Sequence, residues 1–461
     1  MSVPEDPSGR PQPVPPPDPA PAPSRVSLAT VLREWGRIGC IGFGGPPTHI
    51  KLLRELCVER RKWLEAQEFE DAIAACNLLP GPASTQLAIF CAWRLRGRLG
   101  ALVGGAAFIV PGLIVILALS VLFLAGSPPL WVLGAGAGAG AAVPAVAVQA
   151  GWSLLVPSWR GRARTARWVA YLLAGAASAA TIGEGLVLVL LACGVIELAA
   201  QRPRHHPAAG QGGGPRSILA LPLLAGAAIT GGVLLSVAWV ALKVGALSYG
   251  GGFVIIPLMQ SDAVGHYHWM TAAQFLNAVA LGQITPGPVV QTVAVVGYAA
   301  AGLAGGILAS VVAFTPSFSF VLLGASRFDR LRGDRRARAF LAGAGPAAIG
   351  AILGSAIPLT RALTQPWQYA VLGAALILML ALRRGVVLTL VAAGAVGTLI
   401  AVAGGPLPHL YPRGVFWRHE RSRHPRRGGG GDGAGRSGLV LLRAAPARRR
   451  GPSRCSRWPP G

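Results

Sequence analysis

The sequence is short of charge: only 13% of its 461 residues are Asp, Glu, Lys or Arg, and 17 are acidic. Soluble globular proteins carry about a quarter of such residues. A shortage of this size argues against a soluble protein.

Motifs for metal or nucleotide chemistry are also lacking. The six cysteines form no CxxC pair, and the eight histidines form no HExxH or other metal-binding pattern. No GxxxxGK[ST] motif is present, so we expect no site for ATP. The sequence therefore predicts a protein that has no cofactor and no metal centre and is not an ATP-driven pump.

The sequence instead contains long runs without a charged residue. Leu99–Ser127, Leu130–Trp159 and Gly302–Ser326 contain no charged residue, and each is long enough to cross a bilayer. These runs predict an all-α polytopic membrane protein with the lipid bilayer as its partner.

The net charge of +25 does not indicate a nucleic-acid partner. Residues from Arg413 onward hold 13 arginines and 2 acidic residues, and so supply +11 of this charge. Most of the remaining basic residues occupy short loops between apolar segments, where they set the orientation of a membrane protein. We expect no nucleic-acid binding.

Two Pro-Gly-Pro sequences interrupt apolar segments. Pro80-Gly81-Pro82 lies within the segment 69–93, and Pro286-Gly287-Pro288 lies within 275–299; we call them the first and the second break. Proline interrupts a helix, and in a membrane the freed backbone groups have no water to bind. The two breaks predict broken or re-entrant helices whose ends face a polar cavity.

The breaks belong to a longer repeat. Adding 206 to the residue number, with no gap, relates the following pairs: Arg37 and Lys243, Trp63 and Trp269, Phe69 and Phe275, the two breaks, Gly100 and Gly306, and Phe108 and Phe314. Such a correspondence predicts an internal duplication.

The charges predict that the two repeats are inverted. The first half is basic at 51–62 and 94–98 and uncharged at 126–129, whereas the second half has no Lys or Arg at 253–274 and six arginines at 327–338. Positive loops mark the cytoplasmic side. Because both basic stretches of the first half should be cytoplasmic, the segment between them is predicted to be a re-entrant hairpin.

The predicted organisation has six parts. They are a disordered Pro-rich tail (1–25), a first repeat (26–200), a cytoplasmic linker (201–217), an extra transmembrane helix (218–239), a second, inverted repeat (240–405) and a basic low-complexity tail (413–461).

Three motifs identify a family resemblance: Gly42-Phe43-Gly44-Gly45-Pro46, Arg60-Arg61-Lys62-Trp63 and Leu79-Pro80-Gly81-Pro82-Ala83-Ser84-Thr85-Gln86, followed by Pro111. With them the sequence resembles the long, two-domain chromate ion transporters over about residues 27–405. The resemblance implies export of chromate across the bacterial inner membrane, chromate resistance, and sulfate as a look-alike oxyanion. A homodimer is a candidate assembly.

A tetrahedral dianion needs hydrogen-bond donors and positive potential. Proline suits the first position of a helix, so a helix starting at Pro82 would direct its free N–H groups and its dipole at the first break. The candidate substrate-binding residues are Arg37, Asn77, Pro80, Gly81, Pro82, Ser84, Thr85, Gln86, Lys243, Gln283, Pro286, Gly287, Pro288, Gln291 and Thr292; the candidate hinge residues are Gly42, Gly44, Gly45, Gly250 and Gly251.

Alternatives remain open. Ser84 and Thr85 could simply cap the helix, and Arg37 and Lys243 could extend to lipid headgroups. Proton coupling would need a titratable group, for which the candidates are Glu34, His49, Glu68, Glu70 and Asp71.

Two other functions fit the class. One is a carrier of sulfate or another oxyanion, and the other is a membrane-embedded enzyme that holds a lipid phosphate with Arg37 and Lys243. The sequence lacks HExxH and GxSxG motifs, and matched helix breaks in inverted repeats are typical of secondary transporters. We therefore expect a transporter and no enzymatic activity.

Overall fold

The computed structural model describes residues 26–79, 81–124, 128–160, 165–181, 185–201, 232–248, 253, 255–324 and 335–408. Both predicted tails, almost all of the linker, Pro80, Gly250 and Gly251 lie outside the described residues. Within the described ranges the chain forms fourteen α-helices and no strand, which confirms the all-α prediction.

The first half contains seven helices. They are α1 (Leu28–Ile41), α2 (Pro46–Arg54), α3 (Ala66–Leu78), α4 (Ala83–Phe123), α5 (Leu130–Arg160), α6 (Thr165–Thr181) and α7 (Leu186–Ala200). A π-helical turn, Glu55–Arg60, follows α2 directly.

The second half repeats this order. Its helices are α8 (Val233–Leu247), α9 (Ile255–Gln260), α10 (Ala272–Ile284), α11 (Thr292–Gly324), α12 (Arg335–Arg361), α13 (Pro366–Leu376) and α14 (Val386–Val402). A π-helical turn, Ser261–His266, again follows the second helix, and Val289–Gln291 form a 3₁₀ turn before α11. Residues 233–239, expected in an extra helix, begin α8, the counterpart of α1; residues 218–231 of that predicted helix are not described.

The structure corrects the register of the repeat after the breaks. Helix α4 bends at Gly97 (φ 60°, ψ −148°), and α11 bends in the same way at Gly302 (φ 63°, ψ −153°), which lies 205 residues later rather than 206. Pro111 and Pro316, inside these two helices, have the same spacing. The pairs Gly100–Gly306 and Phe108–Phe314 were therefore wrong by one residue.

The 3₁₀ turn explains the change of register. Three residues in 3₁₀ geometry rise about 6 Å, as do four residues of an α-helix. Residues 289–291 therefore cover the distance that residues 83–86 cover in the first half. In the corrected register Gln86 corresponds to Gln291.

The first break lies at the tip of a helical hairpin. Helix α3 has 13 residues, about 20 Å at 1.5 Å per residue, whereas crossing the hydrocarbon core takes about 30 Å. Glu68, in the first turn of α3, forms an ion pair with Arg94, just before the bend of α4. Since the two outer ends of the segment meet, the chain folds back on itself as predicted for 69–93.

Among the described residues, four helical segments are long and apolar enough to cross a membrane: Ala83–Phe123, Leu130–Arg160, Val289–Gly324 (the 3₁₀ turn with α11) and Arg335–Arg361. Large apolar side chains lie on the outside of the protein; Ile114 is 63% exposed and Leu399 is 69% exposed. An apolar exterior is typical of lipid contact and supports a polytopic membrane protein.

One long helix of each half packs mainly against helices of the other half. Helix α5 packs against α13 and α14, and α12 packs against α6 and α7. Glycines permit this close approach: an ideal Cβ on Gly138 would lie 2.1 Å from the oxygen of Ala393, and one on Gly350 would lie 1.8 Å from the oxygen of Leu172. Small residues at crossings are the usual means of packing helices in membranes.

We expect Gly350→Val to destabilise the protein, because the added side chain would force α12 away from α6. Overpacking of this kind costs about 1–3 kcal/mol or more, so thermal unfolding in detergent should shift down by several degrees or the protein should aggregate. Gly373→Val is the matched control, since an ideal Cβ there meets no atom within 4 Å. Equal unfolding temperatures for the two variants would contradict this packing.

Candidate functional site

The glycine-rich turn of the first half lies against the second break. The backbone N–H of Gly287 donates a hydrogen bond to the carbonyl oxygen of Gly42, at 3.0 Å. Gly44 and Gly45 have positive φ angles of 96° and 75°, a conformation that glycine adopts readily. The structure therefore brings the candidate hinge of one half to the broken helix of the other.

His49 connects this contact to the first break. Its Nε2 lies 2.9 Å from the oxygen of Gly42, and its Nδ1 lies 3.3 Å from Oγ of Ser84. Burial lowers the pKa of His49 to about 4, because the charged imidazolium loses its hydration. The neutral ring thus donates from Nε2 to Gly42 and accepts at Nδ1 from the Ser84 hydroxyl.

The first break is lined by polar groups from both halves. Gly81 has φ +118°, and an ideal Cβ on it would lie 2.6 Å from Nε2 of Gln86 and 3.2 Å from Oγ of Ser317. Pro82 precedes α4 as expected, and Ser84 and Thr85 in its first turn are buried. The side chain of Ser84 makes no capping bond to the backbone of the helix and instead contacts His49.

The second break packs against α4 of the first half. An ideal Cβ on Gly112 would lie 2.2 Å from the carbonyl oxygen of Pro286 and 2.5 Å from Oε1 of Gln291. Nε2 of Gln291 donates to the oxygen of Ile109 at 2.6 Å, and Oγ1 of Thr292 donates to the oxygen of Val289 at 2.8 Å. The N–H of Gly287 and the side-chain donors of Gln291 and Thr292 are thus engaged within the protein.

Several buried polar atoms of the site make no hydrogen bond among the residues that the structure describes. They are Oγ1 of Thr85, Nε2 of Gln283, Oε1 of Gln291 and Oγ of Ser317. An unsatisfied buried polar group costs about 1–3 kcal/mol, and nearly all such groups in proteins find a partner. Hydroxyl and amide groups of this kind suit a small polar ligand.

The predicted cations, Arg37 and Lys243, lie in surroundings that differ from those of the breaks. Arg37 is exposed on α1, and Asn77 is exposed at the end of α3. Nζ of Lys243 pairs with Asp262 at 2.7 Å, so its charge is balanced locally. The structure therefore brings together the breaks and Ser84, Thr85, Gln86, Gln291 and Thr292, whereas a role for Arg37, Asn77 and Lys243 stays a prediction.

The carboxylates considered for proton coupling have partners of their own. Glu34 pairs with Arg61 at 2.7 Å, Glu68 with Arg94 and Glu70 with Arg54, and Asp71 accepts from Gln67 at 3.0 Å. The hydrogen bond from Arg61 holds the pKa of Glu34 below its usual value. These pairs favour structural roles for the four carboxylates.

Sequence reasoning missed Ser317. In the corrected register it corresponds to Gly112, so each of these two positions faces the break of the other half. The one-residue error in the register hid this correspondence, and no local motif marks Ser317.

Sequence similarity to known proteins shows the family of the chain. The sequence profile described as "Chromate transporter" matches it twice, at residues 29–198 and 235–398. The chain belongs to the chromate transporter family. It is a multi-pass membrane protein of a transporter family and not of an enzyme family.

Two curated relatives cover most of the chain. The chromate transport protein of Cupriavidus metallidurans is 30% identical over 83% of this chain and 94% of its own length. The chromate transport protein of Pseudomonas aeruginosa is 29% identical over 87% of this chain and 99% of its own length. No solved structure is significantly similar to the chain.

We expect His49→Leu to impair transport, because Gly42 would lose one of its two donors and the Ser84 hydroxyl would lose its acceptor. Removing one partner of a buried hydrogen bond costs about 1–3 kcal/mol, so the rate of chromate uptake into vesicles should fall about tenfold or more at equal protein amount. His266→Leu, at an exposed position, is the control. Wild-type uptake by His49→Leu would show that this connection is dispensable.

Proposed function

We propose that this protein is a secondary transporter that exports chromate across the bacterial inner membrane and thereby confers chromate resistance. Membership of the chromate transporter family supports the substrate. The observation that carries the mechanism is the meeting of two broken helices around buried hydroxyl and amide groups without hydrogen-bond partners. Such meetings of discontinuous helices are the recurrent substrate sites of secondary transporters.

The chemistry of the first break suits a tetrahedral dianion. The N-terminus of α4 supplies free N–H groups and the positive end of a helix dipole. The Thr85 hydroxyl in the first turn is buried and unpartnered, and can donate to an oxyanion oxygen. The Ser84 hydroxyl beside it donates to His49. Binding by neutral donors leaves the site stable when it is empty, because no uncompensated charge is then buried.

Alternating access would follow from motion of one half against the other. We propose that the halves have inverted topology, as the distribution of basic loops predicts, and that the glycine-rich turn 42–45 is a hinge. The hydrogen bond between Gly42 and Gly287 supports this, since it joins the hinge of one half to the break of the other.

Sulfate is the main competing substrate, because it is also a tetrahedral dianion and neutral donors discriminate poorly between the two. The lipid-phosphate enzyme has less support, since Lys243 is paired with Asp262 and Arg37 is exposed on α1. The homodimer stays a prediction, which a mass measurement in detergent would test.

The deciding experiment is uptake of radiolabelled chromate by inside-out vesicles, with sulfate as competitor, for wild type and Ser84→Ala/Thr85→Ala. We expect saturable uptake that sulfate inhibits and that falls at least tenfold in the double variant, because the Thr85 donor and the contact between Ser84 and His49 are both lost. Ser153→Ala is a matched control, since that hydroxyl donates to Ala150 within its own helix. Absence of chromate uptake by the wild type would refute the substrate; normal uptake by the double variant would refute the site.

A further inference from the structure

Most hydroxyl side chains in the apolar helices bind the carbonyl of their own preceding turn. This is the usual arrangement for Ser and Thr within helices. Such bonds are made by Ser120 to Ile116, Thr315 to Val311, Ser355 to Ile352, Thr360 to Ala356 and Thr389 to Gly385. These hydroxyls are satisfied without any ligand.

Ser317 departs from this pattern. It lies in α11 and is 0% exposed, yet its Oγ makes no hydrogen bond within the described part of the chain. A buried hydroxyl that neither binds its own helix nor reaches solvent is free to bind something else.

The Ser317 hydroxyl lies next to the first break. Its oxygen lies 3.2 Å from the point where a Cβ on Gly81 would stand. Because Gly81 has no side chain, the hydroxyl of the second half lies close to the backbone of the first break, beside the amide of Gln86. The Thr85 hydroxyl, also 0% exposed and unpartnered, belongs to the helix that starts there.

The counterpart of Ser317 in the first half is Gly112, and it faces a different environment. The carbonyl oxygen of Pro286 would lie only 2.2 Å from a Cβ at this position, so a serine side chain has no room. The N–H of Gly287 and Nε2 of Gln291 are bound to the carbonyls of Gly42 and Ile109. At the second break these two donors are therefore already engaged, whereas the Ser317 hydroxyl at the first break is not.

We propose that Ser317 contacts the substrate: its hydroxyl, supplied by the second half, completes the oxyanion site at the first break. This inference rests on the proposed function and adds a residue to it. A dianion held at the N-terminus of α4 would then be bound by both halves at once. Relative motion of the halves would change its affinity.

The test is binding of chromate and of sulfate to purified protein, read as the anion concentration that gives half of the maximal thermal stabilisation. Ser317→Ala and Ser317→Gly, which both lack the hydroxyl, should need about tenfold more anion, with unfolding temperatures near wild type in the absence of anion. Ser120→Ala is the matched control, because its hydroxyl is bound to its own helix. It should match wild type.

The outcomes separate this inference from the proposed function. Wild-type affinity in both Ser317 variants, or no stabilisation of the wild type by either anion, would overturn the role of Ser317. Stabilisation that depends on Ser317, in a protein whose vesicles show no chromate uptake, would keep the role of Ser317 and refute chromate export.

Discussion

The carbonyl oxygen of Gly42 accepts hydrogen bonds from two parts of the protein, the imidazole of His49 and the backbone N–H of Gly287. The arrangement of the breaks depends on this oxygen. The Pro-Gly-Pro sequences free backbone groups that a bilayer cannot hydrate, and here one of those groups is satisfied by the other half of the chain. A side chain at Gly42 would collide with His49, since an ideal Cβ would lie 2.8 Å from its ring. Glycine is thus required at this position for space.

The two broken helices follow a similar backbone course but have different surroundings. Around the first break, the hydroxyl groups of Thr85 and Ser317 are buried and unpartnered, whereas at the second break Gln291 and Gly287 donate to carbonyl groups of α4 and of the glycine-rich turn. A duplicated architecture can serve two purposes in this way. In the transporter proposed here, one copy offers polar groups to the substrate, and the other forms hydrogen bonds between the halves.

Much of the fold was predictable because its signals are local. Uncharged runs predicted the long helices, and Pro-Gly-Pro in an apolar context predicted the breaks, since two prolines around a glycine disfavour a continuous helix through their own sequence. Helix α7 begins at Leu186 and ends at Ala200, as its apolar run indicates. The packing of α5 and α12 against the opposite half was not predictable, because glycines that permit close contact do not specify which helix they will contact.

The candidate site was predictable only in part, for a related reason. Ser84 and Thr85 were found because they follow the first break directly. Ser317 is more than 200 residues away in sequence, and only a correct register of the repeat would have aligned it with Gly112. Arg37 was proposed because it is a cation in an apolar region; it lies on the exposed side of its helix, and its role stays a prediction.

The 3₁₀ turn at Val289–Gln291 has a consequence for how such a protein evolves. Loss of one residue from a membrane α-helix turns everything beyond it by about 100°, so that faces meant for protein would meet lipid. Three residues of 3₁₀ helix complete about one full turn, within roughly 40° of the four α-helical residues they replace. A deletion beside a helix break is therefore tolerated where a deletion in mid-helix would not be. The break gives a duplicated membrane protein a place where its copies can diverge in length while their packing surfaces stay in phase.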